Sequence, residues 1–281
     1  MSDPSTLAEA GALRLVNQRA RGELVVTLKQ RDGATVLDDL RQDGCLKARF
    51  PRPVDWMEII VLNSSGGVAG GDTLTSQLRV QSGGHATFAS QAAERFYRAL
   101  PGDAPAHLRT RIAVDPGASA EWLPQESILF DRCALNRVLE IDLAEDAWFL
   151  GVEMLVFGRA AMGETVRAAR LRDTIRIRRG GRLLLHDAIR LDGAVADALF
   201  RPAIAKGNAA VATLIHAAPD AMDRLDAVRE ALAPFDAGVS TWDNLLVARV
   251  VAEDGAWIRA AIVAGLAVLR AGRALPRVWN C

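Results

Sequence analysis

Ala147 to Arg159 reads AWFLGVEMLVFGR, and its alternation decides the fold class. At a period of two, Phe149, Gly151, Glu153, Leu155 and Phe157 share one face, while Leu150, Val152, Met154 and Val156 share the other. Both faces are apolar, so this is a strand buried on both sides. Glu153 is the exception. A lone buried charge is costly, so its carboxylate must be ion-paired, protonated or lining something wet. An internal Arg pair is the commoner solution, and a polar cavity or channel is the alternative.

The same period extends outward from residue 23 to about 190. Leu24, Val26 and Leu28 alternate ahead of the Asp32-Gly33 turn, and Leu108, Thr110, Ile112 and Val114 alternate ahead of Asp115-Pro116-Gly117. Leu135, Leu139, Ile141 and Leu143 share one parity, and Ile175 and Ile177 precede a Gly180-Gly181 turn into Leu183. Asp-Gly and Gly-Gly between apolar runs are hairpin signals, so packed antiparallel sheets are expected. After residue 194 the pattern changes. Pro219–Leu232 places Met222, Leu225, Val228 and Leu232 on one helical face, Val239–Val251 reads as one strand, and Ala256–Ala271 reads as a buried helix stopped by Gly272 and Pro276. The expectation is a mainly β chain with stacked sheets and a few α-helices in its C-terminal third. It is read as one unit over 1–281, β-rich over 20–193 and mixed over 194–281.

Composition narrows the function. The 281 residues carry 34 basic and 34 acidic side chains, and half are hydrophobic. A neutral globular chain lacks the basic surplus of a general nucleic-acid or anionic-membrane binder. Cys45, Cys133 and Cys281 form no C-x-x-C pair, which argues against a disulfide framework or thiolate zinc site and fits a reducing compartment. Asp3 and Glu9 stand where a secretory signal would be positive, and the longest apolar run, Ala260 to Leu269, is fenced by Arg259 and Arg270. A soluble cytoplasmic protein is expected.

Asn63 to Thr73, NSSGGVAGGDT, resembles a phosphate-cradling loop, but Asp72 stands where that loop requires Lys and a strand pattern follows where a helix should open. Glycines taking positive φ or allowing close backbone approach are the plainer explanation. Glu126 and Asp131 could pair as acid and base of a hydrolase, although nothing in the sequence fixes their separation. His85, His107, His186 and His216 are scattered without metal-binding spacing. Gly158 to Arg190 holds nine Arg against Glu164, Asp173 and Asp187, either a patch for an anionic partner or the solvated face of alternating strands.

Six collinear segments together resemble one family, the urease accessory protein UreD. They are GGVAGGD (66–72), SQAAERFYR (90–98), EWLPQESILFD (121–131), FGRAAMGE (157–164), LAPFDAGVS (232–240) and LPRVWN (275–280). The resemblance implies a β-rich fold and no catalysis by this chain. It implies a metallochaperone scaffold that binds apo-urease and UreF, which in turn holds the GTPase UreG, for nickel insertion through an internal polar tunnel. No cofactor is then tightly bound, and nickel is in transit. A transit path needs weak, exchangeable ligands, which single carboxylates with water supply. Asp72, Glu153 and Glu164 are the candidates. Family members commonly have His-Thr where this chain has Asn63-Ser64, and Asn is a poorer nickel ligand than imidazole. The rival readings are the hydrolase using Glu126 and Asp131 and a plain adaptor that never touches nickel.

Overall fold

The computed structural model describes residues 19–159 and 162–280. Two sheets dominate it. The first runs, edge to edge, β14 (Arg182–Ala194), β13 (Ala168–Arg179), β11 (Ala134–Leu143), β8 (Ala106–Val114), β5 (Thr73–Val80), β1 (Arg21–Arg31) and β2 (Ala34–Gly44). The second runs β16 (Asp236–Trp242), β17 (Leu245–Ala252), β15 (Ala210–Ala217), β12 (Trp148–Phe157), β9 (Ser119–Leu123), β6 (His85–Ser90), β4 (Met57–Asn63) and β3 (Leu46–Arg49). Two short strands, β10 (Ser127–Leu129) and β7 (Glu94–Phe96), extend it alongside β12.

The mainly β class is as read, and the local hairpins are antiparallel. Asp32-Gly33, with φ of 52° and 79°, joins β1 to β2, and Gly180-Gly181 joins β13 to β14. Between the hairpins the pairing is parallel: β1 with β5, β5 with β8, β8 with β11 and β11 with β13 in one sheet, and β4 with β6, β6 with β9 and β9 with β12 in the other. The chain crosses from one sheet to the other at almost every step, so each strand returns beside its predecessor running the same way. Asp115-Pro116-Gly117 is accordingly a corner between sheets, linking β8 to β9, rather than a hairpin.

The core lies in two layers separated by the second sheet. Phe149, Leu155 and Phe157 of β12 pack into the space between the sheets with Leu24, Phe88, Ile112 and Leu135. Leu150, Val152, Met154 and Val156 pack on the other side. There they meet α2 (Leu225–Leu232) and α3 (Gly255–Leu269), which follow a short α1 (Val195–Leu199). The division of β12 matches its sequence alternation residue for residue. Asp254 caps α3 by accepting from Trp257 N at 2.8 Å, and Gly272 lies just beyond its end at φ 85°. The C-terminal turn packs on this layer too. Trp279 is buried, its indole donating to Leu123 O at 3.0 Å, with the Arg259 guanidinium over its ring.

Two local expectations change. Val239–Val251 is not one strand: Asp243 and Asn244, at φ 49° and 58°, turn the chain tightly between β16 and β17. Such a pair of left-handed residues is favoured in two-residue hairpins because its twist matches the strands. The helix expected over Pro219–Leu232 begins at Leu225, after a 3₁₀ turn at Met222–Arg224, and Met222 is 56% exposed. Val228 and Leu232 do face the core.

Candidate functional site

A cavity of about 280 Å³ lies between the sheets. Its rim includes Asn63, Gly66 and Gly67 of the glycine loop with Gln91–Phe96, and its walls are apolar, from Leu46, Val61, Leu74, Phe96, Leu108 and Leu139. At the rim Asn63 Nδ2 donates to Gly67 O at 3.1 Å and Glu94 Oε2 at 3.3 Å. Burial pushes Glu94 above the ordinary carboxylate range. Gly67 sits at φ 139°, where a Cβ would come within 2.3 Å of the Tyr97 ring, while the Tyr97 hydroxyl donates to Gly66 O at 2.9 Å. The glycines thus serve both positive φ and close approach, and the strand β5 follows the loop.

The floor of the cavity is charged. Arg137 of β11 reaches across to β12, and its Nη1 is 2.8 Å from Glu153 Oε2. Its Nε and Nη2 donate to the two Asp173 oxygens of β13 at 2.9 and 2.6 Å, and Nη1 also donates to Ser127 Oγ at 2.8 Å. Trp122 Nε1 donates to Glu153 Oε1 at 2.8 Å. One guanidinium therefore serves two buried carboxylates, leaving the group net negative. Burial pushes Glu153 upward, Arg137 opposes, and the neighbouring Asp173 adds to the rise. Behind this group lies a space of about 10 Å³, room for roughly one water, lined by Glu153, Asp173, Asp187 and Thr213. Asp187 is paired there with Arg249. Glu153 and its partners stand between the two spaces. Glu153 is ion-paired, and it also lines a cavity whose walls are mostly apolar.

The other sequence candidates lie elsewhere. Asp72 is buried in the glycine loop, where its oxygens accept from Ala20 N and Ala69 N, each at 2.8 Å. It fixes the turn and the start of β1, and it does not line the cavity. Glu164 accepts from Arg159 Nε at 2.7 Å and Asp131 N at 3.3 Å, also outside the cavity lining. Glu126 is held by Arg259 at 2.7 and 2.8 Å, and Asp131 accepts from Arg167 N and Ala168 N at 2.8 and 3.0 Å. Each of the two proposed hydrolase carboxylates is thus engaged by its own structural partner. Among the described residues no group of three or more His, Cys, Asp or Glu side chains is arranged to hold a metal ion, and no helix is long and apolar enough to cross a membrane.

Sequence reading missed Arg137, and it assigned Asp173 and Asp187 to a partner-facing or solvated stretch, whereas both line the small internal space. A signal for them exists. Arg137 occupies the apolar parity of Leu135, Leu139 and Ile141, Asp173 that of Leu171 and Ile175, and Asp187 that of Leu185 and Ile189. A charge on the buried parity is the same anomaly that marked Glu153.

Comparison with known proteins agrees with the six collinear segments. The family model described as UreD urease accessory protein matches residues 20–280. The chain is 41% identical over 281 residues to the urease accessory protein UreD of Xanthobacter autotrophicus, covering 99% of this chain and 96% of that one. The UreD of Dinoroseobacter shibae is 44% identical over 278 residues, covering 97% and 96%, and that of Rhizobium leguminosarum bv. trifolii is 42% identical over 264, covering 94% and 96%. This chain belongs to the UreD family of urease accessory proteins.

Proposed function

We propose that the chain is a non-enzymatic cytoplasmic scaffold that binds apo-urease and UreF, with UreG held through UreF, and supports GTP-dependent nickel insertion into urease. Nickel is cargo in this reading, not a resident cofactor. The observation that carries it, beside family membership, is the polar group Glu153–Arg137–Asp173 set between two spaces inside an otherwise apolar sandwich. Burying such a group at the junction of three strands is a poor way to stabilise a fold, since an apolar replacement of similar volume is often as good or better. Carboxylates that share one cation and border water suit brief, exchangeable contact with a divalent ion. Of Asp72, Glu153 and Glu164, Glu153 is the one whose position suits that contact.

Purified apo-urease, UreF, UreG, nickel, bicarbonate and GTP, incubated with and without this chain, provide the test. The reading expects nickel per urease active site to rise only when the chain is present. Equal loading in its absence would overturn it.

A further inference from the structure

The outer face of the first sheet carries an unbalanced charge. Arg109 and Arg111 of β8 and Arg170, Arg172, Arg176 and Arg178 of β13 point outward with Arg190 of β14, against Glu140, Asp142 and Asp192. Seven arginines thus meet three carboxylates, in a chain whose total charge is zero. At the far end of the sheet β1 and β2 are balanced, with Glu23, Asp38, Asp39 and Asp43 against Arg21, Lys29, Arg31 and Arg41.

Two features set this apart from an ordinary solvated face. First, Glu140 holds three guanidiniums: Arg109 Nη2 at 2.7 Å, Arg111 Nε at 2.9 Å and Arg176 Nη1 at 3.5 Å. The arginines remain about half exposed while the carboxylate beneath them is largely covered. The group is a fixed array with net positive charge, oriented before anything binds. Second, Arg172 stands directly opposite Arg190 across the β13–β14 hairpin. Both are exposed, and neither is ion-paired among the described residues. Like charges directly opposite on neighbouring strands are destabilising, so folding alone does not account for the pair.

We infer that the outer face of β8, β11, β13 and β14 is a docking surface for the acidic face of a folded protein partner. Four strands about 4.8 Å apart and nine residues at about 3.3 Å rise give a footprint of roughly 14 by 26 Å. That is about half the ~800 Å² each partner contributes to a standard interface, so the patch forms the charged part of one. The face is built of four strands that contain no Phe, Tyr or Trp. It therefore offers no stacking platform for single-stranded nucleic acid, and the neutral chain lacks a duplex binder's surplus. A complementary protein surface remains, with arginine forks matching carboxylates in pairs.

The inference rests on the scaffold reading, which supplies the partners. The experiment measures binding of purified apo-urease and purified UreF, separately, to the wild-type chain, R172Q/R190Q and R172E/R190E, between 50 and 300 mM salt. A duplex oligonucleotide serves as a third probe. Charged rims act chiefly on association rate. For one protein partner, R172E/R190E should lower the association rate at low salt about 10-fold or more and flatten its salt dependence. R172Q/R190Q should fall between, and both variants should keep the wild-type melting temperature or exceed it. Unchanged rates and salt slopes with both proteins would overturn the docking surface while leaving the scaffold reading intact. A loss confined to the oligonucleotide would also overturn it. A wild-type chain that binds neither protein would instead remove the scaffold reading, and this inference with it.

Discussion

Neighbouring residues of β9 send their side chains to opposite sides of the second sheet, and the two sides treat charge in opposite ways. Glu121 faces the helix layer. Arg270 Nε and Nη2 each reach it at 2.9 Å, Arg273 Nη2 at 2.9 Å and Thr87 Oγ1 at 2.6 Å. Arg270 also donates to Arg273 O and Ala274 O, tying the end of α3 to the sheet. Burial pushes Glu121 up, but these partners more than offset it and hold the carboxyl below its ordinary range. Trp122 faces the cavity layer and donates to Glu153, which shares Arg137 with Asp173 and is shifted upward. One carboxylate has two cations and the other has half of one. The helix side is satisfied as a locked joint, while the cavity side is left short of positive charge beside open space.

The largest effect should come from breaking the joint. Arg270→Met leaves Glu121 fully buried with Arg273 alone and frees the end of α3. Removing one partner of a buried pair costs about 3–5 kcal/mol, and chemical denaturation should show a loss in that range. Trp279→Ala empties a core position on the same side and orphans Leu123 O, at about 3 kcal/mol. Unchanged melting of this variant would contradict the docking of the C-terminal turn on its own chain. On the cavity side, Glu153→Gln should stay within about 1 kcal/mol of wild type, since Arg137 keeps both Asp173 oxygens and water can reach the site.

Acid titration sharpens the contrast through its sign. Glu121 is depressed below its ordinary value of 4.5, so its stabilisation is present above pH 4.5 and lost as pH falls below it. Glu153 is raised above 4.5. Its contribution is full below pH 4.5 and lost as pH rises through the folded value. The stability gap between wild type and Glu121→Gln should therefore shrink toward acid. The gap between wild type and Glu153→Gln should move against wild type as pH climbs from 4.5 to 7. Parallel pH profiles for the two variants would erase the distinction.

Much of this was visible in the sequence, and what was hidden has a common cause. Hairpins at Asp32-Gly33 and Gly180-Gly181, the two apolar faces of β12 and the misfit of Glu153 are local signals. The parallel pairing is not, because a corner such as Asp115–Gly117 and a hairpin turn look alike until the strands' destinations are known. Glu121 gave no warning either. It sits in a stretch that already mixes polar and apolar residues, and its partners Arg270 and Arg273 lie 149 and 152 residues away. Asp72 attracted attention through its glycines, yet its bonds run to backbone amides that no side-chain pattern reveals.

In the proposed scaffold the cavity-side charge serves nickel delivery while the helix-side charge serves the fold. The most direct test is nickel per active site in urease activated by Glu153→Gln or Glu153→Leu, measured beside assembly with urease and UreF. The account predicts that Glu153→Gln folds and assembles like wild type but leaves urease short of nickel. Full nickel loading with both variants would contradict it.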